Sequence, residues 1–207
     1  MLRPPLRRRS VTSAGAPPVV ALVTSTGGLD ALTRVLAPMT SDFGAPIIAL
    51  QHQQPDRPSL LADVLRSRCA LPVVAARDGD ALRAGHVYVA QAGSHLLVTA
   101  DRKISTFVSG TFPPNRPSAD LLLTSLALSL GSQAVAVVLS GDGTDGATGA
   151  TAVHHLGGVV IAADEASSKA YGMPKAVIDR DHAVDQVLSV DAIADELIAI
   201  VAAASRV

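Results

Sequence analysis

The sequence predicts an α/β domain built on a mostly parallel, doubly wound sheet, with helices on both faces and an antiparallel hairpin at one edge. Three observations lead there. Short β-branched runs alternate with helical patterns along the chain. Most of those runs are continuously apolar, as strands covered on both faces must be. Between His86 and Ser109 the alternation stops, and three strand-like runs follow one another with only turn residues between them.

The first strand is the apolar run at residues 19–23. Leu32, Val35 and Leu36 then stripe one face of a helix, and a second strand runs over Ile47–Gln51. Pro58 opens a helix carrying Leu60, Leu61, Val64 and Leu65. Residues 73–76 and 87–90 read as further strands. The runs HVYVA, HLLVT and KISTFVS make the antiparallel hairpin or meander, and GTFPPNRP at residues 110–117 is a rigid loop. Ser118 is placed to cap a helix over residues 121–130. A strand at 134–139, a helix at 146–156 and a strand at 159–162 follow. Ile193, Leu197, Ile200 and Val201 mark a closing helix.

Composition narrows the function. Hydrophobic residues make up 48% and charged residues 17% of the 207, so the chain can bury a core as one domain. Aromatics are only 2%, which disfavours readers that stack nucleic-acid bases on aromatic rings. Residues 1–18 carry Arg3, Arg7, Arg8 and Arg9 and no acid; taking those four charges from the net −1 leaves −5 on the rest. The division is therefore a flexible basic arm at 1–18 and a domain at 19–207. The Arg pair has the form of a twin-arginine export signal, but the apolar run behind it is the first core strand, and cleavage there would cut the fold. Cys69 stands alone, so no intrachain disulfide is expected. No run approaches the ~18 apolar residues of a membrane span. The expectation is a cytoplasmic protein with no membrane insertion.

In open parallel sheets, function gathers beyond the carboxyl ends of the strands. The first strand runs into Thr24-Ser25-Thr26-Gly27-Gly28, the second into His52-Gln53, and the 134–139 strand into Ser140-Gly141-Asp142-Gly143-Thr144-Asp145. A hydroxyl, an imidazole and a carboxylate thus leave three strand ends on one rim. These are the parts of a nucleophile, base and orienting acid. Read separately, the glycine turn could be a phosphate cradle, His52 a packing residue, and Asp145 a cap for the helix that follows it. His86, His95 and His182 lack ligand-spaced partners, so no metal is expected. No G-x-x-x-x-G-K-[ST] or G-x-G-x-x-G motif points to a nucleotide cofactor.

These stretches resemble the catalytic domain of the chemotaxis protein-glutamate methylesterase (CheB-type) family over about residues 18–203. The matching segments are STGG at Ser25, QH at Gln51, AGHVYVAQAGSHLLV, RPSADLLLTSLA, GDGTDGATG, and DEASSKAYGMPKAVI from Asp164. The resemblance implies a serine hydrolase that removes methyl esters from glutamate side chains on the cytoplasmic helices of chemoreceptors, and that can also deamidate glutamines. It implies Ser25 as nucleophile, His52 as base and Asp145 as acid, with no cofactor. Thr26, Gly27, Gly28, Asp142 and Gly143 would form the site and its oxyanion donors. Gln53, Tyr171 and Met173 are candidates for the substrate side.

Three positions depart from the family pattern. The loop usually reads G-M-G before its aspartate, and Asp142 stands at the methionine. A carboxylate turned towards an oxyanion ~4 Å away would oppose it by roughly 1–4 kcal/mol. Thr24 replaces the small residue before the serine, and Gln53 replaces a methionine. Regulated members also carry a phosphorylatable receiver domain, which residues 1–18 are too few to form. The expectation is a stand-alone domain, to which receiver-based control is not transferred. Two alternatives follow: a catalytically impaired binding module of the same fold, or a serine esterase for another substrate.

Overall fold

The computed structural model describes residues 16–54, 59–110 and 115–206. Pro58 and most of the basic arm lie outside the described residues. The strands are β1 (Val19–Thr24), β2 (Ile47–Gln51), β3 (Val73–Ala75), β4 (Val87–Val89), β5 (His95–Val98), β6 (Ile104–Phe107), β7 (Ala134–Val138), β8 (Val159–Ala163) and β9 (Gln186–Leu188). The α-helices are α1 (Gly28–Leu36), α2 (Leu61–Arg66), α3 (Ala119–Leu130), α4 (Ala147–His155), α5 (Gly172–Ile178) and α6 (Ile193–Ala204).

Every residue of β1, β7 and β8 is buried, which requires cover on both faces. The sheet meets this with seven strands in the order β3-β4-β2-β1-β7-β8-β9, and every pairing within it is parallel. Alternate residues serve opposite layers. Val20 and Leu22 pack with α1, α2 and α6 residues such as Leu32, Leu65 and Leu197. Val19, Ala21 and Val23 pack with Leu122, Leu126, Val153 and Val177 of α3, α4 and α5. The predicted doubly wound α/β class is the observed one.

Two details differ from the sequence reading. The hairpin β5-β6 is a sheet of its own rather than an edge of the main one. Leu96, Val98 and Ile104 pack in the layer that holds Leu122 and Leu126, and Val98 is tied to α3 by the hydroxyls of Ser125 and Ser129. The run HVYVA belongs to the main sheet, where β4 sits between β3 and β2. Burial of Val87, Tyr88 and Val89 inside a parallel sheet removes them from the hairpin. The short β9, with the sequence QVL, was not foreseen: three residues with one polar end give no usable period.

The chain runs outward from β1 to β2 and on to the edge strand β3, steps back to lay β4 between β3 and β2, and then returns to place β7 on the other side of β1. Connections on the two sides leave for opposite faces, so a crevice opens at the carboxyl ends of β1 and β7. Among the described residues, no helix is long and apolar enough to cross a membrane.

Candidate active site

Register brings the pieces together. Thr24 pairs with Gln51 across β1 and β2, and Val23 pairs with Val138 across β1 and β7. One step past the first pair and two past the second, Ser25, His52 and Ser140 occupy the same level on strands about 4.8 Å apart. The Ser25 amide donates to Ser140 O at 2.9 Å, and the His52 amide donates to Thr24 O at 3.0 Å. Backbone ladders therefore fix Ser25 and His52 at neighbouring strand ends.

The buried Ser140 hydroxyl joins three loops. It donates to Thr26 O at 2.7 Å and accepts from the Ala170 amide at 2.9 Å. Thr24, also fully buried, gives its hydroxyl to Ser140 O. Glycine is required where these loops touch. A Cβ on Gly141 would lie 2.3 Å from Met173 Sδ and 2.9 Å from Ser25 Cβ. One on Gly28 would lie 2.6 Å from Thr24 Cγ2.

His52 Nε2 and Asp145 Oδ2 are 2.8 Å apart, both side chains largely buried. Asp145 does not cap the helix that follows it; its carboxylate sits at the N-terminus of α3. Oδ2 also accepts from the Ala119 amide at 2.8 Å, and Oδ1 accepts from the Asp120 amide at 2.9 Å and the Ser118 hydroxyl at 3.1 Å. Burial alone would raise the pKa of Asp145. The hydrogen bonds from His52 and from the Asp120 and Ala119 amides outweigh it and hold the carboxyl below its ordinary value. The result is a fixed anion against the Nε2 edge of the imidazole ring.

Asp120 returns the arrangement. Its Oδ1 accepts from the amides of Gly146 and Gly149 at 2.9 and 2.8 Å, at the start of α4. Burial pushes the Asp120 pKa up, the Gly149 amide opposes this, and the nearby charge of Asp145 adds to the rise.

The remaining predicted residues fall into distinct places. The Ser25 hydroxyl is half-buried and makes no hydrogen bond among the described residues, so it is free to turn towards His52. Thr26, Asp142 and Gly143 are exposed at the mouth of the crevice. Among the described residues the amides of Thr26, Gly27, Asp142 and Gly143 engage no backbone carbonyl, leaving donors for a developing oxyanion. Gly27 (φ 79°) and Gly143 (φ 88°) hold left-handed turns. Asp142 is solvent-exposed.

Gln53 is half-buried beside a cavity of about 200 Å³ whose walls include Leu29, Leu61 and Val64. Tyr171 is half-buried at the start of α5. Met173 corrects the sequence reading: it is fully buried with its sulfur against Gly141, so it packs beneath the site instead of facing substrate. Sequence reasoning missed Ser140, Gly141 and Asp120 as supports of the site. Ser118 was recognised only as a helix cap, a role it keeps by accepting from the Leu121 amide. Among the described residues no cluster of histidine, cysteine and carboxylate side chains is arranged to hold a metal.

The family model described as CheB methylesterase matches residues 20–197. A protein-glutamate methylesterase/protein-glutamine glutaminase of Koribacter versatilis is 35% identical, over 99% of this chain and 56% of that protein. The protein-glutamate methylesterase FrzG of Myxococcus xanthus is 37% identical, over 84% of this chain and 52% of its own. The chain thus spans about half the length of the curated relatives it matches. The crystal structure of the Thermotoga maritima CheB methylesterase catalytic domain superposes with a TM-score of 0.84 at 35% identity, covering 90% of this chain and all of that one.

Proposed function

The chain belongs to the CheB methylesterase family, and from that membership we propose that it hydrolyses glutamate γ-methyl esters on chemoreceptor helices, with Ser25, His52 and Asp145 as its catalytic residues. The observation that carries the assignment is the 2.8 Å contact between His52 and a buried, multiply bonded Asp145, set at strand ends that also present Ser25.

Asp145 occupies Nε2 of the imidazole, so Nδ1 is the nitrogen left to receive the Ser25 proton. As Ser25 Oγ attacks the ester carbonyl, His52 takes its proton and Asp145 stabilises the imidazolium. Free amides at Thr26, Asp142 and Gly143 supply the oxyanion with donors. The tetrahedral intermediate collapses, the C–O bond to the methoxy group breaks, and His52 returns its proton to release methanol. Water, deprotonated by His52, then cleaves the acyl-serine and leaves a glutamate carboxylate. Deamidation of a glutamine follows the same path with ammonia leaving, in keeping with the double names of the relatives.

Exposure of Asp142 supports turnover over the impaired binding module, because a solvated carboxylate opposes the oxyanion weakly. The test is release of labelled methanol from methylated receptor fragments by the wild type and by Ser25→Ala. Release by the wild type alone is expected; equal release by both overturns the assignment.

A further inference from the structure

Away from the Ser25 crevice, β3 and β4 and the segment at residues 77–86 line an open cavity of about 540 Å³ at the edge of the sheet. It shares no residue with the catalytic centre. We propose that this cavity binds a small phosphate-bearing ligand of mononucleotide size.

Charge supports the phosphate. Arg66, Arg77 and Arg83 all line the cavity, as does His86, against a single carboxylate, Asp80. The Asp80 carboxylate is already engaged by the Arg77 amide at 2.9 Å. Arg66 is held across the strand edge, with Nε donating to Val73 O at 3.1 Å and Nη1 paired with Asp63. Arg77 and Arg83 form no ion pair among the described residues. With Arg66 already paired to Asp63, the guanidinium groups of Arg77 and Arg83 remain as a local excess of cation on the cavity wall, which a dianion neutralises better than the lone Asp80 carboxylate.

Size and walls support the nucleotide. The volume lies within the range of small-molecule sites and far exceeds what inorganic phosphate fills. Val74 and Tyr88 contribute apolar wall. The rings of His86 and Tyr88 stack at 27° with centroids 6.3 Å apart, and His86 Nδ1 is anchored on Ala84 O at 3.0 Å. Tyr88 is itself tied down, donating to Ala81 O and accepting from the Arg83 amide. The half-exposed His86 ring thus offers a fixed flat surface to a base, beside guanidinium groups for its phosphate.

Calorimetric titration of the whole chain with AMP, adenosine and inorganic phosphate tests this. Saturable AMP binding is expected, at least about tenfold tighter than phosphate and weakening as salt rises, with no saturation by adenosine. Arg77→Ala with Arg83→Ala should weaken AMP by about tenfold or more. Both side chains are exposed, so an unchanged thermal midpoint verifies folding, and methyl-ester hydrolysis by Ser25 should persist. Failure of AMP to saturate the wild type overturns the proposal, as does adenosine binding as well as AMP, or a double variant within about twofold of wild type.

Discussion

Asp120 and Asp145 cap each other's helices. Asp145, just before α4, accepts from the amides that start α3, while Asp120, in the first turn of α3, accepts from the amides that start α4. Four orphan amides are satisfied by two carboxylates, and each helix dipole faces an anion. The carboxylate that touches His52 is therefore built into the joint between two helices, which close on one another at Gly149, where a Cβ would lie 2.5 Å from Leu123 Cβ.

Asp145→Asn should lower methyl-ester turnover by up to about 10⁴-fold, because the amide disfavours the imidazolium and turns an NH₂ towards donors. It should also change the pH dependence of stability. The folded-state pKa of Asp145 is lowered, so its contribution is present above the ordinary carboxylate value and lost as pH falls through the folded one. Urea unfolding should show wild type well above the variant at pH 7, and the gap should narrow below about pH 4.

Asp120→Ala should cost about 0.5–2 kcal/mol in urea unfolding, the usual effect of losing a helix cap. Turnover should fall as well, since the Gly146 amide that Asp120 holds is adjacent to Asp145. Asp120→Asn keeps an acceptor oxygen and should recover most of both. A variant with full stability and unimpaired turnover contradicts the reciprocal-cap account.

Gly141→Ala should reduce turnover more than stability. The added methyl meets a flexible sulfur in Met173, but it also meets Ser25 Cβ and, at 3.0 Å, Ser25 N, which cannot swing away. A loss of about 1–3 kcal/mol is expected from overpacking. Combining it with Met173→Ala removes only the sulfur contact, so the single-turnover rate should stay low. Recovery of that rate in the double variant would show that Ser25 is not displaced.

Asp142→Asn should leave kcat within about threefold of wild type, because the residue is solvent-exposed and its charge is screened by water. A large increase on removing this charge would place the carboxylate in the oxyanion site.

Much of this was legible in the chain. Residues 47–50 and 134–138 are unbroken apolar runs because parallel strands are covered twice, and their ends could be read as one rim. The destination of Asp145 was not legible. Local spacing suggests a cap on its own helix, whereas the amides it reaches lie 25 and 26 residues upstream. Ser140 was hidden for the same reason, since its hydroxyl bonds loops 114 and 30 residues away. Hydrophobic period reports burial along one element; it carries no information on which distant backbone groups a polar side chain will meet.

The placement of β1 between β2 and β7 has a cost during synthesis. Thr24 and the Ser140 that it bonds are 116 residues apart. At about 5–20 residues per second, translation takes roughly 6–23 s to cover that distance. For that interval a strand that is fully buried in the finished domain has an open edge, and the imidazole lacks its carboxylate. Ribosome-bound intermediates ending before residue 134 are thus inert and sticky, and chaperone demand should drop sharply once β7 has emerged.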